Sequence, residues 1–249
     1  MTVHFVGAGP GAPDLLTLRA QRLLSECAVC LYAGSLIPAE VLAHCPSDAR
    51  LIDTAELNLD QITSALAQAD AAGLDVVRLC SGDPAVFSAV AEQARRLDRL
   101  GIDYDITPGV PAYAAAAATL RRELTVPEVG QTVVLTRIAQ RASAMPAGEE
   151  LASLGRTRST LVLHLAVQST EHVVAELTPH YGGSCPVAVV AFASQPGEIV
   201  LRGTLADIAE QVAEAGIRRT AVIIVGQVLA AEGFRDSHLY STTRERSAH

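Results

Sequence analysis

Three glycines two residues apart, Gly7, Gly9 and Gly11, follow the apolar run Val3 to Val6 and precede an amphipathic stretch that opens at Asp14. Strand, glycine loop and helix in that order can bring backbone close to a ligand. Gly7, Gly9 and Ala12 also fit the spacing of a dinucleotide fingerprint. Two features argue against a bound pyrophosphate. Pro10 stands inside the loop with no N–H to donate, and no acidic residue closes the second strand, which runs instead into Ala33-Gly34-Ser35. A nicotinamide-dependent oxidoreductase is therefore the alternative from a different class, and micromolar NADH binding would favour it. A second loop of chemical interest is Ser81-Gly82-Asp83-Pro84. There Asp83 and Pro84 read as a helix cap and first helical residue, while glycine at a strand end reads as close approach of a ligand.

Other reactive constellations are few. Cys27-x-x-Cys30 has no second pair or histidine nearby in sequence, so buried structural thiols fit it better than a zinc or redox site. His164 ends an apolar strand and reads as a hydrogen-bonded structural histidine. No G-x-S-x-G elbow, H-E-x-x-H pair or P-loop occurs, and nothing has metal-ligand spacing. The metal expectation is none. All 19 basic residues are arginine. That excludes lysine Schiff bases, pyridoxal phosphate linkage and a Walker lysine.

The elements that must position these residues alternate. Strands are expected at Val3–Val6, Ala28–Tyr32, Leu51–Asp53, Asp75–Cys80 and Ile102–Ile106, with helices from Asp14, over Leu59–Ala69, from Ala85 to Leu100 and from Ala112 to Leu120. A polar stretch with Pro127 and Gly130, Arg121 to Gln131, reads as a linker. The second half repeats the alternation, with strands at Thr132–Thr136, Thr160–Leu165, Val187–Phe192, Glu198–Arg202 and Ala221–Val225. Helices fall at Thr170–Thr178 and along Leu205, Ile208, Val212 and Ala215. The fold class is α/β with mostly parallel sheets, in an N-terminal domain over 1–120 and a C-terminal domain over 121–240; residues 241–249 form a polar tail. Small-residue loops close several strands at their C-terminal ends, where open α/β sheets bind ligands.

The chain has 249 residues, 49% of them hydrophobic and 18% charged, enough for one large or two modest folded domains. A net charge of −8 speaks against nucleic acid. No apolar run reaches membrane-spanning length and no signal peptide is recognisable, so no membrane partner is expected. Five cysteines, an odd number, suit reduced thiols in the cytoplasm.

Taken together, Val6-Gly7-Ala8-Gly9-Pro10-Gly11 with Asp14-Leu15-Leu16-Thr17, Ser81-Gly82-Asp83-Pro84-Ala85-Val86-Phe87 and Thr107-Pro108-Gly109-Val110 resemble the tetrapyrrole methylase family. Within it, Leu31-Tyr32-Ala33-Gly34-Ser35-Leu36 and Thr136-Arg137-Ile138-Ala139-Gln140-Arg141 resemble members that methylate C11 of precorrin-4 or its cobalt complex in cobalamin biosynthesis. Methylation of another ring carbon is the nearer alternative, and a related methylase of RNA or protein a more distant one.

The resemblance implies a homodimer whose chains each fold S-adenosyl-L-methionine, leaving as S-adenosyl-L-homocysteine, into a cleft between two α/β domains. Carried over by motif, the cofactor contacts are Pro10, Gly82, Asp83, Val86, Pro111, Ala112, Leu165, Ala166, Ala193, Thr220 and Ala221. The glycine loop then faces the tetrapyrrole. Arg137 and Arg141 are the expected carboxylate ligands, because a polyanionic ring needs arginines gathered on an acidic protein. Asp14 is expected either to start a helix or to accept from a pyrrole N–H. The chemistry needs no protein nucleophile, and no catalytic residue stands out. Phe87 is followed by Ser88-Ala89-Val90, without the arginine that uroporphyrinogen-III methyltransferases carry. The tail Thr242–His249 also departs from the pattern.

Overall fold

A computed structural model describes residues 2–139 and 144–236. The chain divides into two compact units. One comprises residues up to Ala115 with Ala193–Pro196; the other runs from Ala116 to Phe192 and resumes at Gly197. The tail expected at 241–249 lies outside the described residues.

The first unit holds strands β1 (Val3–Gly7), β2 (Val29–Tyr32), β3 (Arg50–Asp53), β4 (Val76–Cys80) and β5 (Tyr104–Thr107). They form one parallel sheet in the order β3-β2-β4-β1-β5. Helices α1 (Leu18–Glu26), α2 (Ala39–Leu42), α3 (Leu59–Ala71) and α4 (Val90–Leu100) return the chain between strands, and α5 (Ala112–Leu120) follows the last. Alternation along the strands builds two cores. Val3, Phe5, Val76 and Cys80 pack with Leu66 of α3 and Leu97 of α4. Val6, Val77 and Leu79 pack with Leu24 of α1 and Val41 of α2 on the other face. Burial on both faces is what a parallel sheet requires, and it explains the continuous apolar runs. Because β1 leads away toward β2 while β4 leads toward β5, the order reverses between β1 and β4. Ligand crevices form outside the carboxyl ends of strands at such a switch point.

Two helix starts differ from expectation. The stretch from Asp14 opens with a single 3-10 turn, Pro13–Leu15, and breaks at Leu16 and Thr17, both extended. α1 begins only at Leu18, where the Thr17 hydroxyl accepts from the Ala20 N–H at 3.1 Å. Asp14 is therefore exposed in the 3-10 turn that precedes α1, not in α1 itself. Likewise α4 starts at Val90, not near Ala85. Asp83 and Pro84 do not begin it; Ala89, in the left-handed region, does.

The second unit contains β6 (Val133–Arg137), α6 (Leu151–Gly155), β7 (Thr160–His164), α7 (Thr170–Tyr181), β8 (Pro186–Ala191), β9 (Ile199–Thr204), α8 (Ile208–Glu214) and β10 (Ala221–Val225). Its sheet order is β6-β7-β10-β8-β9. Only β6 and β7 pair in parallel; β7–β10, β10–β8 and β8–β9 are antiparallel, so this sheet is mixed where strand–helix alternation predicts parallel neighbours. The reason is interleaving. The helical crossovers still join strands of one direction, β7 to β8 through α7 and β9 to β10 through α8. However, β10 inserts between β7 and β8, and the direct β8–β9 connection reverses the chain. Leu161, Leu163, Val187, Val189 and Ile223 meet Val173 and Leu177 of α7 and Ile208 and Val212 of α8 in one core.

Candidate functional site

At the carboxyl ends of β1, β4 and β5 three glycines are packed backbone to backbone. A Cβ on Gly7 would stand 2.5 Å from the Gly109 Cα and 2.8 Å from the Gly82 carbonyl oxygen. One on Gly109 would strike the same Gly82 oxygen. Gly9 and Gly82 then exchange two hydrogen bonds, of 3.1 and 2.8 Å, and the Ala8 N–H donates to the Cys80 carbonyl at 2.7 Å. Only residues without side chains allow these loops so close together. Gly82 itself has φ of +68°, and a Cβ there would lie 3.7 Å from both Ala112 N and Pro111 Cα. It leaves a small cradle beside the start of α5, which any side chain would fill.

Asp83 ties this arrangement together. One carboxylate oxygen accepts from the Gly109 N–H at 2.9 Å and the other from the Ala85 N–H at 2.8 Å. The sequence reading of Asp83 as a helix cap is thus corrected: its side chain joins two loops 26 residues apart. The Ser88 hydroxyl donates back to the Asp83 and Val86 carbonyls at 3.1 and 3.2 Å. Val86 is half-buried and Phe87 exposed on the turn so formed.

The glycine loop is occupied from within its own unit. The Gln195 side-chain amide donates to the Pro10 carbonyl at 2.8 Å, and the Ala12 N–H donates to the Ser194 hydroxyl at 3.1 Å. A Cβ on Gly11 would overlap the Gln195 side chain. With the N–H groups of Ala8, Gly9 and Ala12 engaged and Pro10 lacking one, little remains to cradle a pyrophosphate. This geometry disfavours the oxidoreductase reading. Ala193, next to Ser194, is buried in the same unit. Ser194 and Gln195 escaped the sequence reading because nothing local marks residues whose partners lie over 180 positions away.

In the second unit, Leu165 and Ala166 leave β7 while Thr220 and Ala221 enter β10. Antiparallel pairing puts these at one edge of the sheet, Ala221 facing Ala191 at the end of β8. There the Phe192 N–H donates to the Thr220 carbonyl at 2.8 Å. Arg137 ends β6 in register with His164 at the same edge. Its guanidinium donates to the carbonyls of Ile138 and Ala144, at 3.0 and 3.2 Å. Arg141 lies outside the described residues. Burial lowers the His164 pKa below the usual imidazole value, so it is neutral at pH 7.

Phe87 (φ 53°), Ala89 (52°), Leu165 (55°), Phe192 (53°), Ser194 (65°) and Thr220 (52°) hold left-handed backbone in these loops without being glycine. Strain of this kind clusters at ligand-binding segments. Sequence carried no signal for it. Among the described residues no group of three or more His, Cys, Asp or Glu is placed to hold a metal ion, and no helix is long and apolar enough to cross a membrane.

Two α/β units, with glycine-rich loops packed backbone to backbone at the carboxyl ends of the first unit's strands, describe a class of protein that binds ligands at strand ends. The profile of the family Tetrapyrrole (Corrin/Porphyrin) Methylases matches residues 2–209, and the chain belongs to that family. It is 62% identical to precorrin-4 C(11)-methyltransferase of Rhodococcus erythropolis, over all of both chains. Among solved structures, a cobalt precorrin-4 methyltransferase of cobalamin biosynthesis superposes with a TM-score of 0.89 at 36% identity, covering 92% of this chain and 95% of that one. Uroporphyrin-III C-methyltransferase of Thermus thermophilus, complexed with S-adenosyl homocysteine, gives a TM-score of 0.78 at 30% identity, covering 92% and 93%.

Proposed function

We propose that this chain transfers a methyl group from S-adenosyl-L-methionine to C11 of precorrin-4 or its cobalt complex, in cobalamin biosynthesis. The observation that carries this is the 62% identity to a precorrin-4 C(11)-methyltransferase over the full length of both chains. The site is compatible with the cofactor: Gly82 leaves space against the backbone of Pro111 and Ala112 that a side chain would take. When bound, S-adenosylmethionine would supply an electrophilic methyl for a C–C bond to an electron-rich ring carbon, its thioether leaving with the C–S electrons. The protein's task is positioning and exclusion of water, which together account for large rate gains without a protein nucleophile.

Asp83 and the packed glycines hold the loops still. Backbone at Pro10, Gly82, Asp83, Val86, Pro111, Ala112 and Ala193, and at Leu165, Ala166, Thr220 and Ala221, supplies the cofactor contacts. Asp14, exposed on its turn, is free to accept from a pyrrole N–H. The five cysteines are unpaired, which suits the cytoplasm, and the family resemblance supports a homodimer.

The direct test is incubation with methyl-labelled S-adenosylmethionine and a panel of precorrins, followed by NMR. Label at C11 of precorrin-4 is expected; label at another carbon, or none, overturns the assignment. Arg137 is assigned to a substrate carboxylate. Arg137→Ala is expected to weaken tetrapyrrole binding by about 1.5–3 kcal/mol, the range for a hydrogen bond to a charged group. Arg137→Lys should recover only part, since the bidentate geometry is lost. Titration of both ligands checks this: weaker S-adenosylhomocysteine binding with unchanged tetrapyrrole binding would assign the arginine to the cofactor instead.

A further inference from the structure

Cys27-x-x-Cys30 lacks a partner in sequence, and the fold supplies one. Cys27 caps the end of α1, Cys30 lies on β2, and Cys45 sits in the turn after α2. The Cys27 S–H has two acceptors in range, the Leu24 carbonyl at 3.2 Å and the Cys45 sulfur at 4.0 Å. Cys30 is fully buried and Cys27 nearly so, while Cys45 is partly exposed. The neighbouring Cys27 and Cys30 thiols hold the Cys45 thiol below the ordinary thiol range.

Buried cysteines usually pack as small hydrophobes, and Cys80 and Cys185 do so here. The trio differs in having one solvent-reached, acidified thiol next to a second sulfur. Cys27 and Cys45 both lie outside helix and strand. Their side chains can therefore close from 4.0 Å to the disulfide length of about 2.05 Å without breaking a ladder. Cys30 is fixed in β2. Since no metal-holding geometry occurs among the described residues, oxidation is the chemistry the cluster supports.

We propose that Cys45 and Cys27 form a thiol–disulfide redox pair, with Cys45 as the thiol attacked by hydroperoxide and Cys27 as the resolving thiol. The Cys45 thiolate attacks the peroxide O–O bond, which breaks to release hydroxide and leave a sulfenic acid. The Cys27 sulfur then attacks the Cys45 sulfur and expels the second hydroxide. Two thiols lose two electrons and two protons, hydrogen peroxide becomes two waters, and the S–S bond forms.

The test uses the full-length protein, treated with hydrogen peroxide, alkylated without reduction and digested. All three cysteines fall in the tryptic peptide 23–50. That peptide should take up one alkyl group after oxidation instead of three and weigh about 2 Da less before alkylation. Further cleavage after Glu26 and Glu40 should leave peptide 27–40 linked to 41–50, and dithiothreitol should release them. The link should persist in Cys30→Ser and vanish in Cys27→Ser, where a sulfenic acid trapped by a 1,3-diketone should remain on Cys45. Should either variant fail to fold, fragmentation of the linked wild-type peptides locates the bond. Three alkylated thiols after treatment, or a bond that includes Cys30, overturns the proposal.

Discussion

Gly109→Ala is expected to lower stability by about 3 kcal/mol, the upper part of the overpacking range, and with it the melting temperature by about 6–12 °C for a chain of this size. The added methyl collides with the Gly82 carbonyl oxygen and would stand 2.8 Å from the Gly7 Cα. None of the three can retreat easily, because β1 is hydrogen-bonded to β4 on one side and β5 on the other. Gly109 does not need a left-handed backbone, so contact alone causes the loss. Gly82→Ala separates the two effects. Its Cβ has room at 3.7 Å, but its φ of +68° costs about 1–2 kcal/mol for a residue with a side chain. The methyl then fills the cradle beside Pro111 and Ala112. The smaller loss of stability should therefore accompany the larger loss of S-adenosylhomocysteine affinity, at least tenfold by calorimetry. A Gly109→Ala protein with an unchanged melting temperature would show that the glycines do not pack as described.

How far the sequence revealed this site depends on the range of the interactions involved. The central strands of the first sheet, β2, β4 and β1, and the whole of α5 follow from apolar runs and their punctuation, since strands buried on both faces leave that mark on composition. The glycines at 7, 82 and 109 were visible as loops at strand ends. Their reason was only half visible. Close approach was expected of a ligand, yet at Gly7 and Gly109 the approaching group is the protein's own backbone.

The start of α4 was misplaced for a related reason. Asp followed by Pro is a sound local signal for a helix start, but the Asp83 carboxylate is engaged by Gly109 instead. In the second sheet, alternation identified the elements and not their neighbours. Insertion of β10 between β7 and β8 leaves no local trace. The left-handed residues Leu165, Phe192 and Thr220 were invisible, because their side chains oppose the conformation they adopt. Local chemistry shows in composition; tertiary demands on single residues do not.

Asp83 is where such a demand meets function, and Asp83→Ala is expected to damage both fold and binding. Two backbone N–H groups, of Gly109 and Ala85, lose a carboxylate acceptor at once. The Gly109 bond is partly buried, the Ala85 bond exposed, so water replaces the second far better than the first. The net loss should be about 2–3 kcal/mol, mostly from Gly109, or about 4–12 °C in melting temperature. Without the tie, the turn carrying Val86 and Phe87 is no longer held to the loop that leads into Pro111 and Ala112. Cofactor affinity should then fall about 30–150-fold, the same free energy now required to order the loops on binding. Asp83→Asn tests which contact matters. An asparagine oxygen can accept from one N–H, while its amide group cannot accept from the other. If Asn keeps the Gly109 bond, stability and S-adenosylhomocysteine binding should recover most of the way; if it keeps the Ala85 bond, both should stay near the alanine values. Amide exchange at Gly109 distinguishes the two cases. A variant that loses Gly109 protection and still binds S-adenosylhomocysteine with wild-type affinity would show that the Asp83 tie serves the fold alone.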